Sequence, residues 1–152
     1  MDKKQFDELV VKAGAGDAVA LWKVGETYRH GNKKLGVARD EKKGWELIER
    51  AKDAGSVVAL CLLGKISEAE FLSGLEATKA VDTDGASGAN PFGCVEFAEL
   101  ELMNADRFPS IRNVKINAAL TWYRRAVKHG VAEPQLVERI AWCLRELGAE
   151  EG

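Results

Sequence analysis

Two stretches of the chain repeat each other: GDAVALWKVG (16–25) and GSVVALCLLG (55–64). Gly16, Ala20 and Gly25 return as Gly55, Ala59 and Gly64, 39 residues later each time. Asp17 returns as Ser56, a second residue type suited to cap a helix N-terminus. Self-similarity at this period marks stacked supersecondary units, none of which can bury its apolar face alone. A second pair, GWELIERAKDAG (44–55) and ALTWYRRAVKHG (119–130), is offset by 75 residues, close to two further periods. The glycine inside the first stretch needs a reason. Leu21, Val24 and Tyr28 follow helical spacing around Gly25, and a glycine inside a helix costs about 1 kcal/mol relative to alanine. We therefore expect Gly25 and Gly64 at equivalent helix crossings, where a missing side chain lets two backbones approach.

The pattern predicts eight helices. They cover about 3–13, 17–30 (capped by Asp17), 40–54 (capped by Asp40), 56–66, 67–81, 91–106, 115–129 and 133–147. Ser67 and Glu70 form the sequence signature of a capping box, and Pro134 suits the first turn of the last helix. The glycine-rich DTDGASGANPFG is the one long connection. Glycines 31, 55 and 130 close helices. The reading is all-α: a single domain over 1–152 built as a short solenoid of helix pairs. Its units run over 16–55, 55–90 and 91–130, and half-repeats at 3–13 and 133–147 cap the stack.

The run A-x3-[VL]-G-x2-Y-x2-G (20–31), then GVARD (36–40), then K-G-x2-L-x3-A-x3-G (43–55), resembles the Sel-one-like repeat family. These are relatives of the tetratricopeptide repeats that form α/α solenoids. The first unit carries the match through Ala20, Gly25, Tyr28, Gly31, Gly36, Val37, Asp40, Lys43, Ala51 and Gly55. The second keeps Ala59, Leu63 and Gly64, and the last keeps Ala119, Trp122, Tyr123, Ala126 and Gly130. Gly44 and Lys52 depart from the alanines usual in the family, and Ser67 replaces its tyrosine. The resemblance implies a protein-binding adaptor that grips a partner on a concave surface lined by the first helix of each pair.

Little in the residues points to catalysis. There is no HExxH, no nucleophile elbow and no GxxxxGK[ST]. DTDG opens like a calcium loop but lacks the later ligands. His30 and His129 precede glycines at helix ends, where a cation is favoured by the helix dipole. Glu96, Glu99 and Glu101 read as a solvated face. Tyr28, Trp45, Trp122 and Trp142 read as core. The expectation is a non-enzyme with no cofactor and no metal. Cys61, Cys94 and Cys143 are an odd number without CxxC spacing, and the opening MDKKQFDELVVKAG has no apolar signal-like run. Both suit reduced thiols and a cytoplasmic setting.

The net charge is −2, but it is uneven. Ile66–Met103 holds eight acidic residues and one basic, whereas Asn104–Gly148 holds eight basic and four acidic. An acidic chain argues against a nucleic-acid grip, so a helical-repeat RNA binder using the basic C-terminal section is the alternative reading. With Leu21, Val24 and Tyr28 assigned to the buried stripe, Trp22, Lys23, Glu26 and Arg29 fall on other faces of their helix. The 39-residue shift adds Cys61 and Lys65, and a weaker alignment adds Leu100, Asn104 and Arg107. These nine residues form the expected partner-binding surface: an aromatic anchor among charges of both signs suits a protein or peptide partner. No membrane contact is expected.

Overall fold

Backbone hydrogen bonds show how the repeat is built. Asp17 Oδ1 accepts from the Ala20 amide at 2.9 Å, and 39 residues on Ser56 Oγ accepts from the Ala59 amide at 3.0 Å. The preceding residues match as well. Gly16 and Gly55 both take positive φ, 92° and 98°, a backbone state open to glycine at little cost. The next amides then reach back to Lys12 O (3.1 Å) and Ala51 O (3.0 Å). Each linker thus ends one helix with a six-to-one hydrogen bond and caps the next with the same residue.

This computed structural model describes residues 1–77 and 90–148. Within them the chain forms eight α-helices: α1 (Lys3–Gly14), α2 (Ala18–His30), α3 (Glu41–Asp53), α4 (Val57–Leu62), α5 (Glu68–Ala77), α6 (Phe92–Arg107), α7 (Arg112–Lys128) and α8 (Pro134–Glu146). Short 3-10 turns lie at Lys33–Leu35 and Pro109–Ile111. The described residues contain no strand, only one isolated bridge between Asn32 and Val37. The described residues are all-helical, and consecutive helices pack on each other from α1 to α4 and from α6 to α8. The end of the helix expected over 67–81, and most of the glycine-rich connection, lie outside the described residues. The chain divides into two compact units, Met1–Glu70 and Phe71–Gly152.

In the first unit α2 packs on both α1 and α3. The α2–α3 crossing answers the question of the internal glycine. A methyl group on Gly25 would stand 2.8 Å from the Gly44 carbonyl oxygen and 2.9 Å from Ile48 Cγ1. A methyl group on Gly44 would stand 2.6 Å from the Gly25 carbonyl oxygen and 2.9 Å from the Arg29 amide nitrogen. The two glycines face each other, so Gly44 is the partner that makes Gly25 useful. Ile48 and Ala51 of α3 complete the contact layer with no exposed surface.

The expectation for Gly64 is corrected. It lies at no crossing but just past the end of α4, with φ +73° and open space where a side chain would go. The Lys65 amide bonds back to Leu60 O at 2.9 Å. The same linker that starts α2 also starts α4, but α4 stops after six residues because its glycine takes the left-handed conformation rather than a helical one. Ser67 then opens α5 through the reciprocal box expected from sequence: Glu70 N–H donates to Ser67 Oγ (3.0 Å) and Ser67 N–H to Glu70 Oε1 (3.2 Å).

In the second unit α7 packs on α6 and on α8. Phe71, Phe97 and Trp122 form an aromatic core, with ring centroids 5.4 Å (Phe71–Phe97), 6.1 Å (Phe71–Trp122) and 4.7 Å (Phe97–Trp122) apart. Each of these rings comes from a different helix, so the cluster ties α5, α6 and α7 together.

Candidate functional site

The expected partner surface is not assembled as the sequence suggested. Trp22 has no exposed surface and Glu26 only 4%, which corrects both as surface residues. The reason lies in the position of α2. With α1 and α3 both against it, the helix buries Ala20, Leu21, Trp22, Val24, Gly25, Glu26 and Thr27, far more than one stripe. Glu26 is satisfied internally: Arg29 Nη1 donates to it at 2.6 Å and His30 Nε2 lies 3.4 Å away. The Arg29 guanidinium also stacks 4.5 Å above the Trp45 ring of α3. These charges brace the α2–α3 pair. Lys23 and Cys61 are half-buried and Lys65 is exposed. Leu100, Asn104 and Arg107 belong to the second unit, where Arg107 Nη2 donates to Asn104 Oδ1 at 2.9 Å.

A better-formed surface lies in the second unit. Val95 and Glu99 of α6, Tyr123 of α7, and Glu133 with the outer face of α8 line a half-open groove of about 460 Å³. The α8 residues are Gln135, Glu138, Arg139, Trp142 and Arg145. Their spacing of three, four, seven and ten residues after Gln135 places them on one helix face. Leu136, buried, also lines the groove at its edge, and with Cys143 and Leu144 it forms the core side of the helix. Trp142 is therefore not core: it is half-buried on the groove wall. Trp45 and Tyr28 are half-buried too, while Trp122 is core as expected.

The floor of the groove is polar but internally satisfied. Tyr123 Oη donates to Glu99 Oε1 at 2.9 Å, and Arg139 Nε approaches the same oxygen at 3.8 Å. Burial, and then the Glu99 carboxylate, push the Tyr123 phenol above its ordinary value. The acidic residues of α6 are not a solvated face. Glu96 is 3% exposed, Glu99 is held as described, and Glu101 meets Lys115 at 3.3 Å. Toward the rim the balance changes. Glu133, Glu138 and Arg145 have no ion-pair partner among the described residues. No family model, curated protein or solved structure matches the chain.

Other features of this chain have less to offer a ligand. Among the described residues no three of His, Cys, Asp and Glu cluster so as to hold a metal ion. The three thiols are free. Burial raises each of them, Cys94 to about 12, which leaves little nucleophilic thiolate. His129 Nε2 lies 3.6 Å from Glu76 at the end of α7. No helix of the described residues is long and apolar enough to cross a membrane.

Proposed function

We propose that this chain is a non-catalytic interaction module that binds a polypeptide in the α6–α7–α8 groove. The observation that carries the reading is Trp142: a large aromatic side chain left only half-buried on a groove wall, with charges of both signs around it. Aromatic and arginine side chains in partly enclosed sites supply most of the energy at protein interfaces. A phosphate backbone asks instead for uniform positive charge. Three of the eight basic residues of that section are already engaged by carboxylates: Arg112 meets Glu146 at 3.0 Å, Lys115 meets Glu101, and Arg139 meets Glu99. The RNA-binding reading is therefore the weaker one.

Kinship with the Sel-one-like repeats belongs to the same proposal, together with the solenoid arrangement the family implies. It is supported by the matching linkers at Gly16–Asp17 and Gly55–Ser56 and by the close α2–α3 pair. A cytoplasmic setting is supported by the three free thiols. Photo-crosslinking tests the function. A benzophenone side chain in place of Gln135 reports on the groove, and one in place of Lys65 reports on the face expected from sequence. The expected result is a discrete protein adduct from position 135 alone, lost when Trp142→Ala is added in a chain with unchanged circular dichroism. Equal adducts from both positions, or an adduct removed by ribonuclease, would refute it.

A further inference from the structure

The rim charges of the groove are not mixed at random along α8. Glu133 and Glu138 stand toward the N-terminal end of the helix and Arg145 toward the C-terminal end, with Trp142 between Glu138 and Arg145. Glu138 and Arg145 are seven residues apart, two turns, or roughly 10 Å along the axis. None of these three charges has an ion-pair partner among the described residues, whereas Glu99 on the floor is taken by Tyr123 and Arg139. Arg139, half exposed beside Glu138, sets its charge against Glu99 at 3.8 Å; of the rim charges without an ion-pair partner, a ligand meets an acidic end, an aromatic wall and a basic end, in that order.

The walls also restrict the backbone of the ligand. They are α-helices, whose peptide groups are already bonded within each helix, so an extended segment would find no ladder to join and would gain no main-chain hydrogen bonds from the walls. A helix satisfies its backbone by itself and needs only side-chain complementarity. A groove of about 460 Å³ admits anchoring side chains rather than a whole helix, so the helix lies across its mouth.

On these grounds, and resting on the polypeptide-binding reading above, we infer that the occupant is an amphipathic helix running antiparallel to α8. It carries acidic residues in its first turn opposite Arg145, one apolar anchor against Trp142, and basic residues in its last turn opposite Glu138 and Glu133. This order also favours the ligand helix itself, because acidic side chains at the N-terminus and basic ones at the C-terminus complement its own dipole. The reverse orientation would set like charges against each other at both ends of the groove.

Two lactam-bridged helical peptides of equal length and composition test this. One has Glu in the first turn, Leu at the centre and Lys in the last turn; its twin has the Glu and Lys positions exchanged. Binding is followed by titration calorimetry and by the Trp142 indole signal in 15N–1H spectra, assigned with Trp142→Phe. The first peptide is expected to shift that signal and to bind at least ten times more tightly than the twin. Arg145→Glu should shrink or reverse the preference while circular dichroism stays unchanged. If both peptides shift Trp142 with equal affinity, the orientation is overturned although the groove still takes a polypeptide. If neither shifts it, the helical ligand is overturned, and the crosslink from position 135 decides separately whether the groove binds protein.

Discussion

Replacing Gly25 by alanine puts two terms in opposition, and the structure says which is larger. Helix propensity favours the change by about 1 kcal/mol. The new methyl carbon, however, would lie 2.8 Å from Gly44 O, 2.9 Å from Ile48 Cγ1 and 3.2 Å from Leu47 Cβ. The nearest obstacle is backbone, which has no rotamer to change, so α3 as a whole must retreat. Overpacking a filled interior costs about 1–3 kcal/mol, and here the upper half of that range applies. A net loss of about 1–2 kcal/mol remains after the propensity gain, which lowers the melting midpoint by roughly 2–8 °C in a chain of this size. Gly44→Ala should cost at least as much, since its methyl group meets Gly25 O, Arg29 N and Arg29 Cα at 3.0 Å or less. The double variant should lose less than the sum, because helices already forced apart admit the second methyl group more cheaply. Gly25→Leu should be worse than either single alanine. Gly14→Ala is the control: it ends α1 with nothing within 4 Å of the added carbon, and it should be neutral or stabilising by up to about 1 kcal/mol. Thermal melts followed at 222 nm measure all five. The close crossing is refuted if Gly25→Ala stabilises the protein as Gly14→Ala does.

Trp22→Ala should cost about 3–5 kcal/mol, as for other fully buried aromatic residues; a variant with an unchanged melt would return Trp22 to the surface. Tyr123→Phe removes the hydrogen bond to Glu99, worth about 1.5–3 kcal/mol for a charged acceptor, and urea denaturation at pH 7 reads the loss. The raised phenol value sets the sign of the alkaline effect. Stability from Tyr123 is intact below the ordinary tyrosine value of 10 and falls as pH rises above it, because only the unfolded chain then releases the proton. The wild-type curve should drop more steeply between about pH 10 and 11 than that of Tyr123→Phe, and parallel curves would count against a buried phenol. Thiol labelling of the native chain at pH 8 should modify Cys61 alone at an appreciable rate, with Cys94 and Cys143 following only in urea. Rapid native labelling of Cys94 would contradict its burial.

Some of this architecture was legible in the residues and some was not, for identifiable reasons. Helix starts were readable because caps are local: Asp17, Asp40, Ser56 and Ser67 each accept the amide three residues on. The role of Gly25 was readable as a crossing, although its partner Gly44 showed only as a departure from a pattern. Trp22 was misplaced because one apolar stripe was assumed for α2, while a helix flanked by two others buries several faces. Trp142 carried a usable signal. It falls among Gln135, Glu138, Arg139 and Arg145 rather than on the Leu136–Cys143–Leu144 face, so its place on a polar stripe marks it as a groove residue. The burial of Glu96 and the half-burial of Glu99 left no local mark, since Glu99 is held by Tyr123 and Arg139 from other helices.

The 39-residue repeat now has a physical meaning narrower than the one its sequence suggests. It persists in the turn: Gly16 and Gly55 share a positive φ, Asp17 and Ser56 share an extended backbone and the same capping bond, and Ala20 and Ala59 are both buried, although Asp17 is exposed where Ser56 is buried. It lapses five residues after Ala20 and Ala59, where Gly25 is helical and Gly64 is left-handed. A shared letter is thus not a shared conformation, because glycine is the one residue that serves both states. What distinguishes the two sites is the opposing helix. Gly25 has Gly44 against it, whereas around Gly64 there is open space. Without a close neighbour to reward the helical state, the glycine at 64 ends the helix instead. The chain then turns at once into α5, whose Phe71 enters the aromatic core of the second unit. The point where the repeat fails is therefore close to the point where one compact unit gives way to the next.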